Sequence, residues 1–152
     1  MDEKLLAATE TGDAAGLGRL IAAGADVDAK DEDGWTAAML AASYGHEACF
    51  ELLIRSGADI DDEREDGWTA AMLAACYGQK ACLELLIGAM ADLDAKDEDG
   101  WTATTLAAGN GHAGLASLIE SVSLSRSEAD QMRWETQGEL GEAKPGLRGP
   151  RI

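Results

Sequence analysis

Asp33-Gly34-Trp35-Thr36 returns as Asp66-Gly67-Trp68-Thr69 and again as Asp99-Gly100-Trp101-Thr102, at a constant offset of 33 in sequence number (66 − 33 and 99 − 66). No insertion interrupts the period. A unit of that length is too small to bury its own apolar face, so successive units must stack and share a continuous core. The chain is therefore predicted to form an array of small units that offers an extended surface. A single globule organised around one central cleft does not fit this pattern.

Four units can be drawn. In residues 1–33, Ala7-Ala8-Thr9 lies one period before Leu40-Ala41-Ala42, and Gly12 one period before Gly45. Gly24-Ala25-Asp26-Val27-Asp28 recurs as Gly57-Ala58-Asp59-Ile60-Asp61. This unit lacks the Gly-Trp-Thr signature and carries Asp2, Glu3 and Lys4 at its open end, as a terminal cap requires.

Residues 34–66 show the design most fully. Thr36 is placed to cap a helix, because its hydroxyl can take one of the orphan backbone N–H groups. Ala37 to Ala42 are mostly strong helix formers with small side chains. Gly45 supplies a turn, and a second helix over residues 46–55 turns Cys49, Phe50, Leu53 and Ile54 inward. Gly57 ends that helix, and the charged run Asp61–Asp66 leads to the next unit through a projecting turn.

Residues 67–99 repeat this with Gln79 for His46 and Met90 for Gly57, and the latter exchange predicts a strained turn. Residues 100–125 are more polar, with Thr104 and Thr105 in place of Ala71 and Met72. Gly109 and Gly114 weaken their helices by about 1 kcal/mol each, so this unit reads as the other cap. Residues 126–152 leave the period. Ser127 is placed to cap a short helix over 128–137, with a disordered Gly- and Pro-containing tail beyond it.

The repeat period, Gly-x-Thr, Leu-Ala-Ala, Gly-His, Glu-Leu-Leu-Ile and Gly-Ala-Asp-Ile-Asp resemble the ankyrin repeat over roughly residues 5–122. The family's Thr-Pro-Leu-His becomes Thr36-Ala37-Ala38-Met39, and likewise Thr69-Ala70-Ala71-Met72. This removes a proline that presets the first helical turn and a histidine used for hydrogen bonds between repeats. The resemblance implies an all-α solenoid of stacked helix-turn-helix units with projecting hairpin loops.

It also places Trp35, Trp68 and Trp101 as a ladder at the hairpin bases on the concave face, with Tyr44 and Tyr77 beside them. The acidic tips Glu32, Asp33, Glu65, Asp66, Glu98 and Asp99 flank that ladder. Together they form a candidate surface for a protein partner with a basic or apolar contact segment. A sharper version is an aromatic cage for methylated lysine, since rings with carboxylates suit such a cation. The bland alternative is that each indole packs on the neighbouring hairpin as filler and the carboxylates only keep the array soluble.

Charge narrows the partners further. Residues 1–125 hold 24 acidic and 7 basic side chains, which accounts for the whole net charge of −17, whereas residues 126–152 are neutral. That field repels nucleic acid and anionic membrane surfaces, so neither is expected as a partner. Three cysteines at repeat-related positions argue against a disulfide framework and for a reducing compartment, cytoplasmic or nuclear. Met1-Asp2-Glu3-Lys4 lacks a signal-peptide charge pattern.

His46 and Cys49 lie three apart, but Cys49 matches Cys82 as a small core position. No catalytic set, metal-ligand spacing or phosphate loop is found, so no enzyme activity, metal or cofactor is expected. The expected protein is a monomeric interaction module or scaffold. Two alternatives are a regulatory or targeting module of a larger multidomain or catalytic assembly and a self-associating spacer.

Overall fold

The computed structural model describes the backbone of residues 2–140 and the side chains of residues 2–129. The chain divides into two units, residues 1–119 and 120–152. Among the described residues there are eight helices and no strand: α1 (Asp2–Thr11), α2 (Ala14–Ala22), α3 (Ala37–Tyr44), α4 (Glu47–Arg55), α5 (Ala70–Cys76), α6 (Lys80–Gly88), α7 (Ala103–Gly109) and α8 (Ala113–Leu140). This is the all-α solenoid the sequence predicts, with one helix pair per period.

In the first unit, α1, α3, α5 and α7 stack in one layer, and α2, α4 and α6 stack in a second. Small residues set the spacing of the first layer. Ala37, Ala38, Ala41 and Ala42 of α3, and Ala70, Ala71, Ala74 and Ala75 of α5, are fully or almost fully buried. Met39 and Met72 fill the space between them and are equally buried, a use that suits an unbranched, adaptable side chain. The second layer contributes Leu17, Phe50, Leu53, Leu83 and Leu86, none of them exposed.

Thr36, Thr69 and Thr102 each accept the backbone N–H three residues on at 3.3 Å, so every helix that follows a hairpin is capped in the same way. At Thr36 and Thr69, which are buried, the hydroxyl replaces water at the helix start, where an unsatisfied N–H is costly.

The seam between repeats is carried by a row other than the lost Thr-Pro-Leu-His histidine. His46 Nε2 lies 3.0 Å from the carbonyl of Glu10, and Gln79 Nε2 donates to the carbonyl of Ser43 at 3.0 Å. Both reach back over a glycine of the preceding repeat. Gly12, Gly45 and Gly78 have φ of 80°, 75° and 71°, a region that disfavours L side chains. A Cβ on Gly12 would also lie 2.9 Å from the His46 ring, and one on Gly78 2.7 Å from His112. The same glycine reverses the chain and admits the next repeat.

Helix ends follow a second glycine row. Gly24 and Gly57 adopt φ of 97° and 85° just past α2 and α4. Met90 holds the same position after α6 at φ 64°, and among the described residues no other non-glycine has a positive φ. The strain expected at that turn has this backbone basis. In the fourth repeat the position is Ser123, which does not break the helix, and α8 runs on to Leu140. The short helix expected to start after a Ser127 cap is thus a continuation of α8, since nothing at 121–125 supplies a left-handed turn. Residues 141–152, expected to be a disordered tail, lie outside the described residues.

Candidate functional site

The three hairpin loops share one backbone frame. Asp31, Arg64 and Asp97, which occupy equivalent positions in successive repeats, each donate their N–H to the carbonyl of the tryptophan four residues on, at 2.9–3.0 Å. Gly34, Gly67 and Gly100 close the turn onto the carbonyl of that same first residue. In the first and third loops the aspartate side chain braces the turn. Asp31 Oδ1 accepts from the N–H groups of Asp33 and Trp35 at 2.9 Å. Asp97 Oδ1 accepts from Asp99 and Trp101 at 2.9 and 2.8 Å.

The second loop has arginine where the others have aspartate, and its geometry changes accordingly. Asp66 takes over the brace by accepting the N–H of Trp68 at 3.1 Å. Arg64 then grips Asp66 with two bonds, Nε to Oδ1 at 3.2 Å and Nη2 to Oδ2 at 2.6 Å. Its guanidinium carbon sits 4.7 Å from the Trp35 ring centroid and 5.2 Å from that of Trp68. Both distances suit a cation on an aromatic face. The space between the first two indoles is therefore filled by the chain's own cation. Arg64 thus lies where a methylated lysine would enter a cage between Trp35 and Trp68.

Between Trp68 and Trp101 the arrangement differs. The Trp68 indole Nε1 donates to Asp97 Oδ2 at 3.0 Å. The backbone of Glu98 donates to the carbonyl of Asp66 at 3.1 Å, holding the two loops in register. Asp97 is only 9% exposed, yet among the described residues no lysine or arginine forms an ion pair with it.

The candidate residues therefore separate by exposure. Trp35 and Trp68 are half-buried, while Trp101, Tyr44 and Tyr77 are 47%, 52% and 56% exposed. Trp101 lies against the last turn of α7, where a Cβ on Gly109 would be 3.8 Å from its Cζ3. Asn110, next to that turn, holds in the fourth repeat the position of Tyr44 and Tyr77. Tyr44 is in turn 5.9 Å, centroid to centroid, from the ring of His46. Glu32, Asp33, Glu65, Glu98 and Asp99 are exposed, and Asp66 is half-buried against Arg64.

Two sets of residues that matter here are easily passed over in the sequence. Arg64 and Asp97 read as part of the acidic tips, although the row Asp31, Arg64, Asp97 already displays the exchange of sign. The Gly-Ala-Asp-x-Asp segments also have a function in the frame. Asp28 Oδ1 accepts the N–H of Asp59 at 2.8 Å, and Asp61 Oδ1 accepts that of Asp92 at 2.9 Å. These carboxylates stitch one repeat to the next. Lys30 adds to that seam by pairing with Asp62 at 3.1 Å and donating to the carbonyl of Glu63 at 3.0 Å.

The cysteines behave as packing residues. Burial pushes the Cys82 thiol up to about 11, with the charge of Glu47 adding to the effect. Burial raises Cys49 as well, assisted by Asp13, and raises Cys76. Thiols held protonated at neutral pH are poor nucleophiles.

Helix pairs that recur at one fixed period, locked in register and joined by projecting loops, define a helical repeat solenoid. Residues 5–97 match the family model for ankyrin repeats in three copies, and the chain belongs to the ankyrin repeat family. No match was found among curated proteins. Ankyrin repeats are in general protein–protein interaction modules, which makes a protein the expected class of partner. No helix among the described residues is long and apolar enough to cross a membrane.

Proposed function

We propose that this ankyrin array binds a segment of a protein partner across the surface that carries Tyr44, Tyr77 and Trp101. The exposed carboxylates Glu32, Asp33, Glu65, Glu98 and Asp99 would select basic or neutral segments and disfavour acidic ones. The observation that carries this reading is that three aromatic side chains, each about half exposed, sit on a strongly acidic array. Aromatic residues are over-represented among the side chains that dominate binding energy. Trp35 and Trp68 have a different task in this scheme. Held on Arg64, they shape the surface more than they contact the partner.

A test is to select binding peptides from a displayed random library with the full chain, then measure them against a Tyr77→Ala/Trp101→Ala variant. Circular dichroism must first show that the variant retains its helix content. Loss of about 2 kcal/mol or more in binding is expected, the scale of an interface hot spot. Peptides that bind the variant as tightly as the parent would remove this surface from consideration.

A further inference from the structure

The array displays one filled gap between successive tryptophans and one without an arginine. In the filled gap, Arg64 stacks between Trp35 and Trp68 and is held by Asp66. The next gap is its counterpart one repeat later. Trp68 and Trp101 stand in for the two rings, Asp99 holds the place of Asp66, and Asp97 holds the place of Arg64. The backbone register is the same, since residue 64 passes over Gly34 as residue 97 passes over Gly67. The cation is missing, and the aspartate in its place accepts the Trp68 indole N–H and braces its own turn.

We propose that the Trp68–Trp101 gap is a recognition position for an arginine of the protein partner. Its guanidinium would enter as Arg64 enters the first gap. The exposed face of Trp101 supplies the stacking surface and Asp99 the pairing carboxylate. Asp97 favours this occupant by charge. It is a nine-tenths buried carboxylate whose hydrogen bonds come from two backbone N–H groups and an indole, none of them cationic. Lysine fits less well, because a planar guanidinium can both stack on the indole and meet a carboxylate through two parallel bonds. This inference rests on the proposed binding of a protein segment and adds the chemistry of one contact.

The repeats supply their own controls. Asp97→Arg turns the third loop into Arg-Glu-Asp-Gly-Trp-Thr, the sequence of residues 64–69. Arg64→Asp turns the second loop into Asp-Glu-Asp-Gly-Trp-Thr, the sequence of residues 31–36 and 97–102. Each variant therefore places in one loop a sequence that already folds in another.

The probes are acetylated, amidated peptides with an apolar flank, identical except for arginine, lysine, citrulline or norleucine at the centre, titrated calorimetrically against the full chain. The arginine peptide is expected to bind at one site at least tenfold more tightly than the citrulline peptide, with lysine between them. Asp97→Arg should abolish that preference, and Arg64→Asp should raise the stoichiometry from one site to two.

An Asp97→Arg variant that keeps the preference, or an Arg64→Asp variant that stays at one site, overturns the proposal. If all four peptides bind equally and depend on Tyr77 and Trp101, the arginine position is wrong and the partner-binding surface stands. If none binds, and peptides selected from a library are indifferent to Tyr77 and Trp101, both readings fail.

Discussion

The second and third hairpin loops differ at the residue that decides what lies between the tryptophans, Arg64 in one and Asp97 in the other. In the second loop a long cation bridges two rings and its carboxylate partner sits on the rim. In the third a short anion accepts the indole N–H of Trp68 and leaves Trp101 as the most exposed of the three tryptophans in the repeats. One position on a shared frame thus sets whether the array satisfies its aromatic surface internally or presents it. Frame and surface are separable here. The turn bonds, the threonine caps and the register are common to both loops, so the contrast can be altered without dismantling the fold.

The largest effect is expected where frame and gap meet. Asp97→Ala leaves the Trp68 indole N–H and the N–H groups of residues 99 and 101 without their acceptor. A cost of about 2–3 kcal/mol should appear in urea denaturation, because three part-buried donors lose a charged partner at once. Asp31→Ala, in a more exposed loop, should cost only about 1 kcal/mol. Equal costs would mean that burial of the third loop has no energetic weight.

Arg64→Ala addresses the other side of the contrast. It removes a stacked cation and a two-point pair, and a loss of about 1–2 kcal/mol is expected. Acrylamide should then quench Trp35 and Trp68 more readily and leave Trp101 unchanged, read with single-tryptophan variants. Quenching that changes at all three would show that the gaps are coupled.

The turn feeding the third loop offers a gain. Met90→Gly relieves a left-handed residue that Gly24 and Gly57 accommodate freely, and little burial is lost, since Met90 is 70% exposed. Stabilisation of about 1 kcal/mol is expected by thermal unfolding.

Acid should produce the smallest change. The hydrogen bonds from Arg64 hold the Asp66 carboxyl below its ordinary 3.8 against some opposing burial, and the Trp68 N–H helps. A carboxylate lowered in the folded state stabilises at pH above its unfolded value, and that contribution is lost as pH falls through the lower folded value. The stability gap between the parent and Arg64→Ala should therefore be constant near neutrality and narrow only below 3.8. With Asp66 about two-fifths exposed, solvent keeps the change small.

How much of this could be read from the chain alone depends on whether the relevant signal lies within one repeat or between two. Thr36, Thr69 and Thr102 announce their caps locally, because a threonine before an alanine-rich run has one good use. Gly12, Gly45 and Gly78 announce turns in the same way. That these glycines also admit His46, Gln79 and His112 is a fact about two repeats at once. The loss of Thr-Pro-Leu-His suggests weaker seams, while the seam bonds are made further along each repeat, by His46 and Gln79.

Arg64 is hidden for a related reason. Within Glu63-Arg64-Glu65-Asp66 it reads as one base among acids, and only contact with the Trp35 ring of the preceding loop and the Trp68 ring of its own gives it a role. The run-on of α8 is recoverable from Ser123, which stands where a helix-stopping glycine would have been required.

The stitching carboxylates also bear on how the array comes apart. Asp28 and Asp61 each reach forward to the backbone of the following repeat, so every such bond needs two neighbours folded together. Asp26 is reached instead by Asp2, whose Oδ1 accepts its N–H at 3.1 Å from within the same repeat. The first repeat thereby closes its end of the row with its own residue. In a linear array whose stability is a sum of unit and neighbour terms, fraying should start where a link is missing. On this side the final link is present, which predicts slow hydrogen exchange at Asp26 relative to other exposed loop amides.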